Sequence, residues 1–291
     1  MLDVVSRKLN TMKIDKFFLS VIVLIIACHS LFAQEKAAKH PSLFRPVSKE
    51  LMRDMETDRP DITESPYTVD AGHFQYESDL VKFRKETDEI SSERTFLINQ
   101  ADLKLGITNS TDFQVIIQTF GTKTEHDLAD GSKTTSQGIG DLTLRIKQNI
   151  LGNNGGNFSI AVMPYLKFPT SHFDKADSYE GGLVVPMQVK LPHDWKLGFQ
   201  VEGDRLKDKY DDQMHTELLQ SVTLSHEILK GLDGIAETYY TYDFKAHHLS
   251  NYLNAALQMS LAKDFKVDAG LNYGIQSDAA QTYFVGTSFR F

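Results

Sequence analysis

From His73 to the end of the 291-residue chain, apolar and polar side chains alternate in runs bounded by Gly, Asn, Asp, Pro or Ser. Alternation with period two is the pattern of a strand whose two faces meet different surroundings. In FSIAVMPYLKF, Phe158, Ile160, Val162, Pro164, Leu166 and Phe168 share one face, and Ser159, Ala161, Met163, Tyr165 and Lys167 share the other. LTLRIKQNI, WKLGFQVE and FKVDAGLNYGIQ divide in the same way. About twelve strands are predicted, beginning near His73, Thr95, Thr111, Gly140, Asn157, Glu180, Trp195, Thr216, Gly234, Ser250, Phe265 and Thr282. Several are about 10 residues long, the length a tilted strand needs to cross a bilayer.

The links carry a second pattern. Those after strands two, four, six, eight and ten are short (TNS, GNNGG, HD, KGLDG, KD), whereas those after the odd-numbered strands are mostly longer and charged, as in TKTEHDLADGSKTTSQ and DRLKDKYDDQMH. Turns at one end and loops at the other describe an up-and-down antiparallel sheet. Such a sheet has two exposed edges unless its last strand pairs with its first. YFVGTSFRF, Tyr283 to Phe291, continues the alternation to the final residue and is predicted to be that closing strand.

Alternation alone does not say which face is inside. The polar face collects Gly198, Gly270, Gly274 and Gly286 with charged and amide side chains, a mixture suited to a wet lumen. The apolar face places Trp195, Phe158, Phe168, Phe265, Tyr283 and Phe291 near strand ends, where interfacial aromatic girdles lie. The fold class expected is therefore all-β: an up-and-down antiparallel transmembrane β-barrel of about 12 strands. A soluble β-sandwich is the alternative. On the barrel reading, Leu271 faces lipid and Asp268 the lumen, so Leu271→Arg is expected to be the more damaging of the two changes.

Upstream, residues 1–33 read as a signal peptide, with Arg7, Lys8, Lys13 and Lys16 before the apolar run FFLSVIVLIIA and a small residue at the cut in LFA. Met12 is an alternative start, and IIAC at Ile25 to Cys28 offers a second reading as a lipoprotein box. Residues 34–72, interrupted by Pro41, Pro46, Pro60 and Pro66, are expected to form an extended periplasmic N-terminal segment, and residues 73–291 the barrel. A net charge of −8 without a basic block speaks against nucleic acid as a partner. With Cys28 the only cysteine, neither an internal disulfide nor a cysteine-based metal site is available.

DRPDITESPYTVDAGHFQYE (Asp58 to Glu77), GIGDLTLRIK (Gly138 to Lys147) and YLKFPTS (Tyr165 to Ser171) resemble signature segments of the outer-membrane proteins named for the meta-pathway of phenol degradation, usually labelled transporters. Ser171 departs from the glycine more usual there. The resemblance implies a barrel in the outer membrane of a gram-negative cell and passage of small, often aromatic or apolar compounds. It also makes the terminal Phe291 similar to the end signal read by the barrel assembly machinery.

The candidate pore-lining residues are Asp102, Lys104, Asp141, Arg145, Lys147, Lys167, Lys190, Lys196, Glu202, Glu237, Lys266, Asp268 and Arg290. Their charges either grade the field along a pore or form ion pairs that hold the interior together. Arg59, Asp61 and Glu64 are candidates for a gate or plug, the alternative being a rigid strap across the inner mouth. No catalytic residues, metal ligands or cofactor are indicated. Ser225 and His226 are adjacent in a strand and so point to opposite faces, and no G-x-S-x-G elbow occurs. The function expected is an outer-membrane channel for a small-molecule solute, in contact with outer-membrane lipid and lipopolysaccharide. A non-conducting structural or adhesive barrel and a lipid hydrolase are the alternatives.

Overall fold

The computed structural model describes residues 40–173, 178–208, 211 and 213–291; the predicted signal peptide, with Met12 and Cys28, lies outside them. Among the described residues there are thirteen strands: β1 (Phe74–Thr87), β2 (Ser91–Thr108), β3 (Thr111–Asp127), β4 (Lys133–Gly138), β5 (Leu142–Leu151), β6 (Phe158–Phe168), β7 (Glu180–Lys190), β8 (Lys196–Lys207), β9 (Met214–Leu229), β10 (Leu232–Asp243), β11 (His248–Ala262), β12 (Phe265–Gly274) and β13 (Gln281–Arg290). Both β4 and β5 pair with β3, one beside each half, so they occupy a single place in the ring. The result is a closed antiparallel barrel of twelve strand positions. Closure is made by β13 on β1, with Gln75 opposite Arg290 and Tyr76 opposite Phe289. The Phe291 amide adds a hydrogen bond of 2.9 Å to the Phe74 carbonyl.

The two faces sort as their periodicity requires. In β6, Ser159, Ala161 and Met163 are buried within while Phe158 and Leu166 are exposed outside. In β13, Gly286, Ser288 and Arg290 are buried while Tyr283 and Val285 are exposed. Leu271, outward on β12, lies in this apolar band. An arginine there is expected to cost about 2–4 kcal/mol, measured by denaturant unfolding in lipid vesicles with Trp195, the one tryptophan, as reporter.

One hairpin differs from the sequence expectation. TKTEHDLADGSKTTSQ is not a loop: β3 runs on to Asp127, and after a turn β4 returns beside it, with Thr124 opposite Thr135. This part is polar on both faces, so it lacks the alternation by which strands are read, although its threonines suit a strand.

The GIGD motif forms the break between β4 and β5. Phe173 fills that break: a Cβ on Gly121 would lie 2.5 Å from its ring, and one on Gly140 3.1 Å. The Asp141 carboxylate accepts the amides of Thr170 (2.9 Å) and Ser171 (2.8 Å), so two of the sequence motifs meet here. Ser171 serves without a left-handed backbone, which is why glycine is not required.

Candidate functional site

Residues 52–72 of the N-terminal segment lie inside the barrel, whereas residues 40–51, with Phe44 and Leu51 exposed, stay outside it. At its end, the ring nitrogens of His73 stand 2.7 Å from the carbonyl oxygens of Val47 and Phe291. Arg53 donates through Nε to Asp70 (2.7 Å) and through Nη2 to the Thr68 carbonyl (3.0 Å). Arg290 of the closing strand donates to Asp264 (2.6 Å), Asp70 (3.2 Å) and the Arg53 carbonyl (2.8 Å). The closing strand thus holds the segment where it enters from the short-turn end.

Deeper in the lumen, Asp58 is the hub. Its carboxylate accepts from Lys104 on β2, from Lys147 on β5 and from the Ser65 amide (2.9 Å). Glu77 on β1 accepts the amides of Asp58 (3.0 Å) and Arg59 (3.1 Å). Arg145 joins Glu64 (2.5 Å) to Asp102 (2.6 Å). A charged group this deep is tolerated only where opposite charges and hydrogen bonds replace water.

Arg59 occupies a notch in the wall. Gly286 is opposite Asp79 on β1 and Asp268 on β12, so two carboxylates flank a residue with no side chain. The guanidinium fills that space, bonding Asp268 through Nη2 (2.6 Å) and Nε (3.2 Å), and Asp79 through Nη1. Its cation also sits 5.5 Å from the Phe284 ring. A Cβ on Gly286 would come within 2.0 Å of Nη2, so glycine is required by close approach.

The segment turns at its tip, where Glu237 on β10 accepts the amides of Ile62 (3.0 Å) and Thr63 (2.7 Å). Gln200 on β8 accepts the Glu64 amide (2.7 Å). Asp61 lines cavities on two sides of the turn. Inside the lumen the segment therefore touches the wall around the ring through side chains; its backbone meets the sheet only at the short-turn end, where Ser42 bridges Thr108 and the Leu43 and Gly72 amides donate to the Ile107 and Gly106 carbonyls (both 2.8 Å).

Most of the candidate lumen charges meet this segment: Lys104, Arg145, Lys147, Glu237, Asp268 and Arg290 as described, Lys196 through Glu56 (3.1 Å), and Asp102 indirectly through Arg145. Lys190 stands 5.6 Å from the Tyr67 ring, and Lys266 donates to Gln258 (3.3 Å), itself bonded to the Arg59 carbonyl (3.1 Å). Glu202 accepts from Gln200 (2.8 Å). Asp141 and Lys167 belong elsewhere, since Asp141 holds the loop at the β4–β5 break and Lys167 pairs with it (3.4 Å) and with Glu180 (2.7 Å). Glu77 and Asp79 are additions, recoverable by extending to Asp79 the alternation that begins at Phe74.

The inner cluster is short of positive charge: Asp58, Glu64, Glu77 and Asp102 face Lys104, Lys147 and Arg145. Burial, reinforced by Asp58 and opposed by Arg145, pushes the Glu64 carboxyl up to about 7. A released segment returns Glu64 to water and its ordinary value, 4.5. Protonation therefore favours the seated form; this contribution is complete below the ordinary value and is lost as pH rises through about 7. Seating is expected to weaken between pH 5 and pH 8, roughly the span of this titration, read as accessibility of the segment to protease, and Glu64→Gln is expected to flatten that dependence.

A closed antiparallel barrel with an apolar outer band and a charged interior defines the transmembrane β-barrel class. Within that class, the sequence profile of the family described as "Putative MetA-pathway of phenol degradation" matches residues 57–291, and the chain belongs to that family. An outer membrane channel from Pseudomonas putida F1 superposes with a TM-score of 0.56 at 11% identity, over 81% of this chain and 100% of that one. The NanC porin gives 0.47 at 11% identity over 74% and 98%, and the translocator domain of autotransporter NalP from Neisseria meningitidis 0.49 at 13% over 75% and 87%. The first of these likenesses supports the fold. No curated protein matches the sequence.

Proposed function

We propose that this protein is an outer-membrane channel for small molecules whose lumen is plugged by its own N-terminal segment. The observation that carries this reading is that residues 52–72 cross the lumen, held by side chains of the wall, and leave space at both ends. A cavity of about 290 Å³ lies at the short-turn end and one of about 690 Å³ at the hairpin end. A structural strut has no use for such vestibules, whereas moving the segment joins them. The short turns then face the periplasm and the hairpins the exterior. The solutes suggested by the family resemblance are small and aromatic or apolar.

The hydrolase alternative has little support, because His226 stacks on Trp195 with ring centroids 4.3 Å apart, as a girdle residue would. Planar-bilayer recording of the full chain tests the channel. Discrete conductance steps that become frequent when the segment is loosened are expected. Silence from both the natural protein and loosened variants would leave a non-conducting barrel.

A further inference from the structure

The cavity at the hairpin end is unlike the rest of the lumen. At about 690 Å³ it falls within the range of small-molecule sites. Tyr239 and Tyr252 line it, stacked on each other with ring centroids 4.3 Å apart and planes 7° from parallel, and Leu219 and Ile62 of the segment's tip add apolar surface.

A row of carboxylates crosses the wall beside them. Asp204 on β8 is directly opposite Glu217 on β9, and Glu217 is directly opposite Asp243 on β10. Like charges so placed repel. Asp204 accepts from the Tyr165 hydroxyl (2.6 Å), and Asp243 accepts the Lys245 amide (2.7 Å) with His215 Nε2 at 3.7 Å. Glu217 has neither a hydrogen bond nor an ion pair among the described residues. The Lys245 ammonium is taken by Asp208 and Asp211, and Arg84 by Glu86 (2.6 Å). His215 lines the same cavity, with its side chain nine-tenths buried beside Asp243.

We propose that this cavity binds an organic cation with an aromatic or apolar body. The cationic head lies against Glu217, relieving the repulsion along the row, and the body lies beside the tyrosine pair, where a cation is also favoured by the ring faces. Acidic residues outnumber Arg84 and Lys207 in the lining by seven to two, which disfavours anions. No group of His, Cys, Asp and Glu suited to a metal ion occurs among the described residues. The inference deepens the channel reading by naming a solute class, and it rests on that reading only for the cavity's place at the outer mouth.

The test is equilibrium binding to the purified full chain in nanodiscs, by saturation-transfer NMR and calorimetry, with three probes of similar shape: benzyltrimethylammonium, neutral neopentylbenzene and anionic benzenesulfonate. The ammonium is expected to bind at least about tenfold more tightly than either other probe. Glu217→Gln, nearly identical in shape, is expected to weaken it by about tenfold while raising the thermal midpoint of the unliganded protein, because a like-charge contact is removed. Tyr239→Ala is expected to weaken it by about fivefold. Equal affinity for the three probes, an unchanged affinity in Glu217→Gln, or displacement of the ammonium by stoichiometric calcium would each overturn the proposal. Binding without conductance would count against the channel and leave this site standing; conductance without binding would do the reverse.

Discussion

Asp58→Ala is expected to release the luminal segment while leaving the barrel closed. The Lys104 and Lys147 side chains are 3% and 1% exposed, and Asp58 is a carboxylate partner of both. Without it Lys147 keeps only the Ser65 carbonyl (2.8 Å), and Lys104 keeps Glu77. Removing one member of a buried pair costs about 3–5 kcal/mol, mostly because the remaining charge is stranded in a place water does not reach. On the plug reading seating is an equilibrium within a folded barrel, so the loss is expected to move the segment out before it unfolds the sheet. Proteinase K should shorten the variant from its N-terminus while the heat-dependent gel shift of the barrel survives. Asp54→Ala, an exposed change in the same segment, should remain protected. A variant that loses the gel shift together with the segment would show that seating and barrel folding are one event.

The barrel was legible because its chemistry repeats: every strand has one side toward lipid and the other toward the lumen, and a period of two records both. The strand starts at Thr111, Glu180 and Phe265 coincide with their predicted positions for that reason. Glu93 to Lys123 and Thr124 to Thr135 extend the hairpins beyond the apolar band, where both faces are wet and the record stops. The path of Arg59 was less legible still. Its partners Asp79 and Asp268 lie 20 and 209 residues away, and they become neighbours only when β13 slides between β1 and β12. Gly286 was visible as a small residue on the lumen face. That its missing side chain makes room for a guanidinium follows from closure and from no local pattern.

The same notch gives the largest expected change in conduction. Arg59→Glu places a third carboxylate between Asp79 and Asp268, replacing attraction by repulsion in a space that held a forked donor. If the pairing supplies about 3–5 kcal/mol of seating, its loss alone shifts the ratio of seated to released segment by about a hundredfold or more, since each 1.4 kcal/mol is a factor of ten. Single-channel recording should find the variant open most of the time under conditions where the natural protein is mostly closed. Gly286→Ala reaches the same end without touching a charge, because its Cβ needs the space held by Nη2, 2.0 Å away. Arg59→Lys keeps the charge but loses the fork, and should fall between. Agreement between the charge variant and the steric variant would locate the gate at this notch. Conductance raised by Arg59→Glu but not by Gly286→Ala would instead mean that the added charge alters ion flow directly, with the segment still seated.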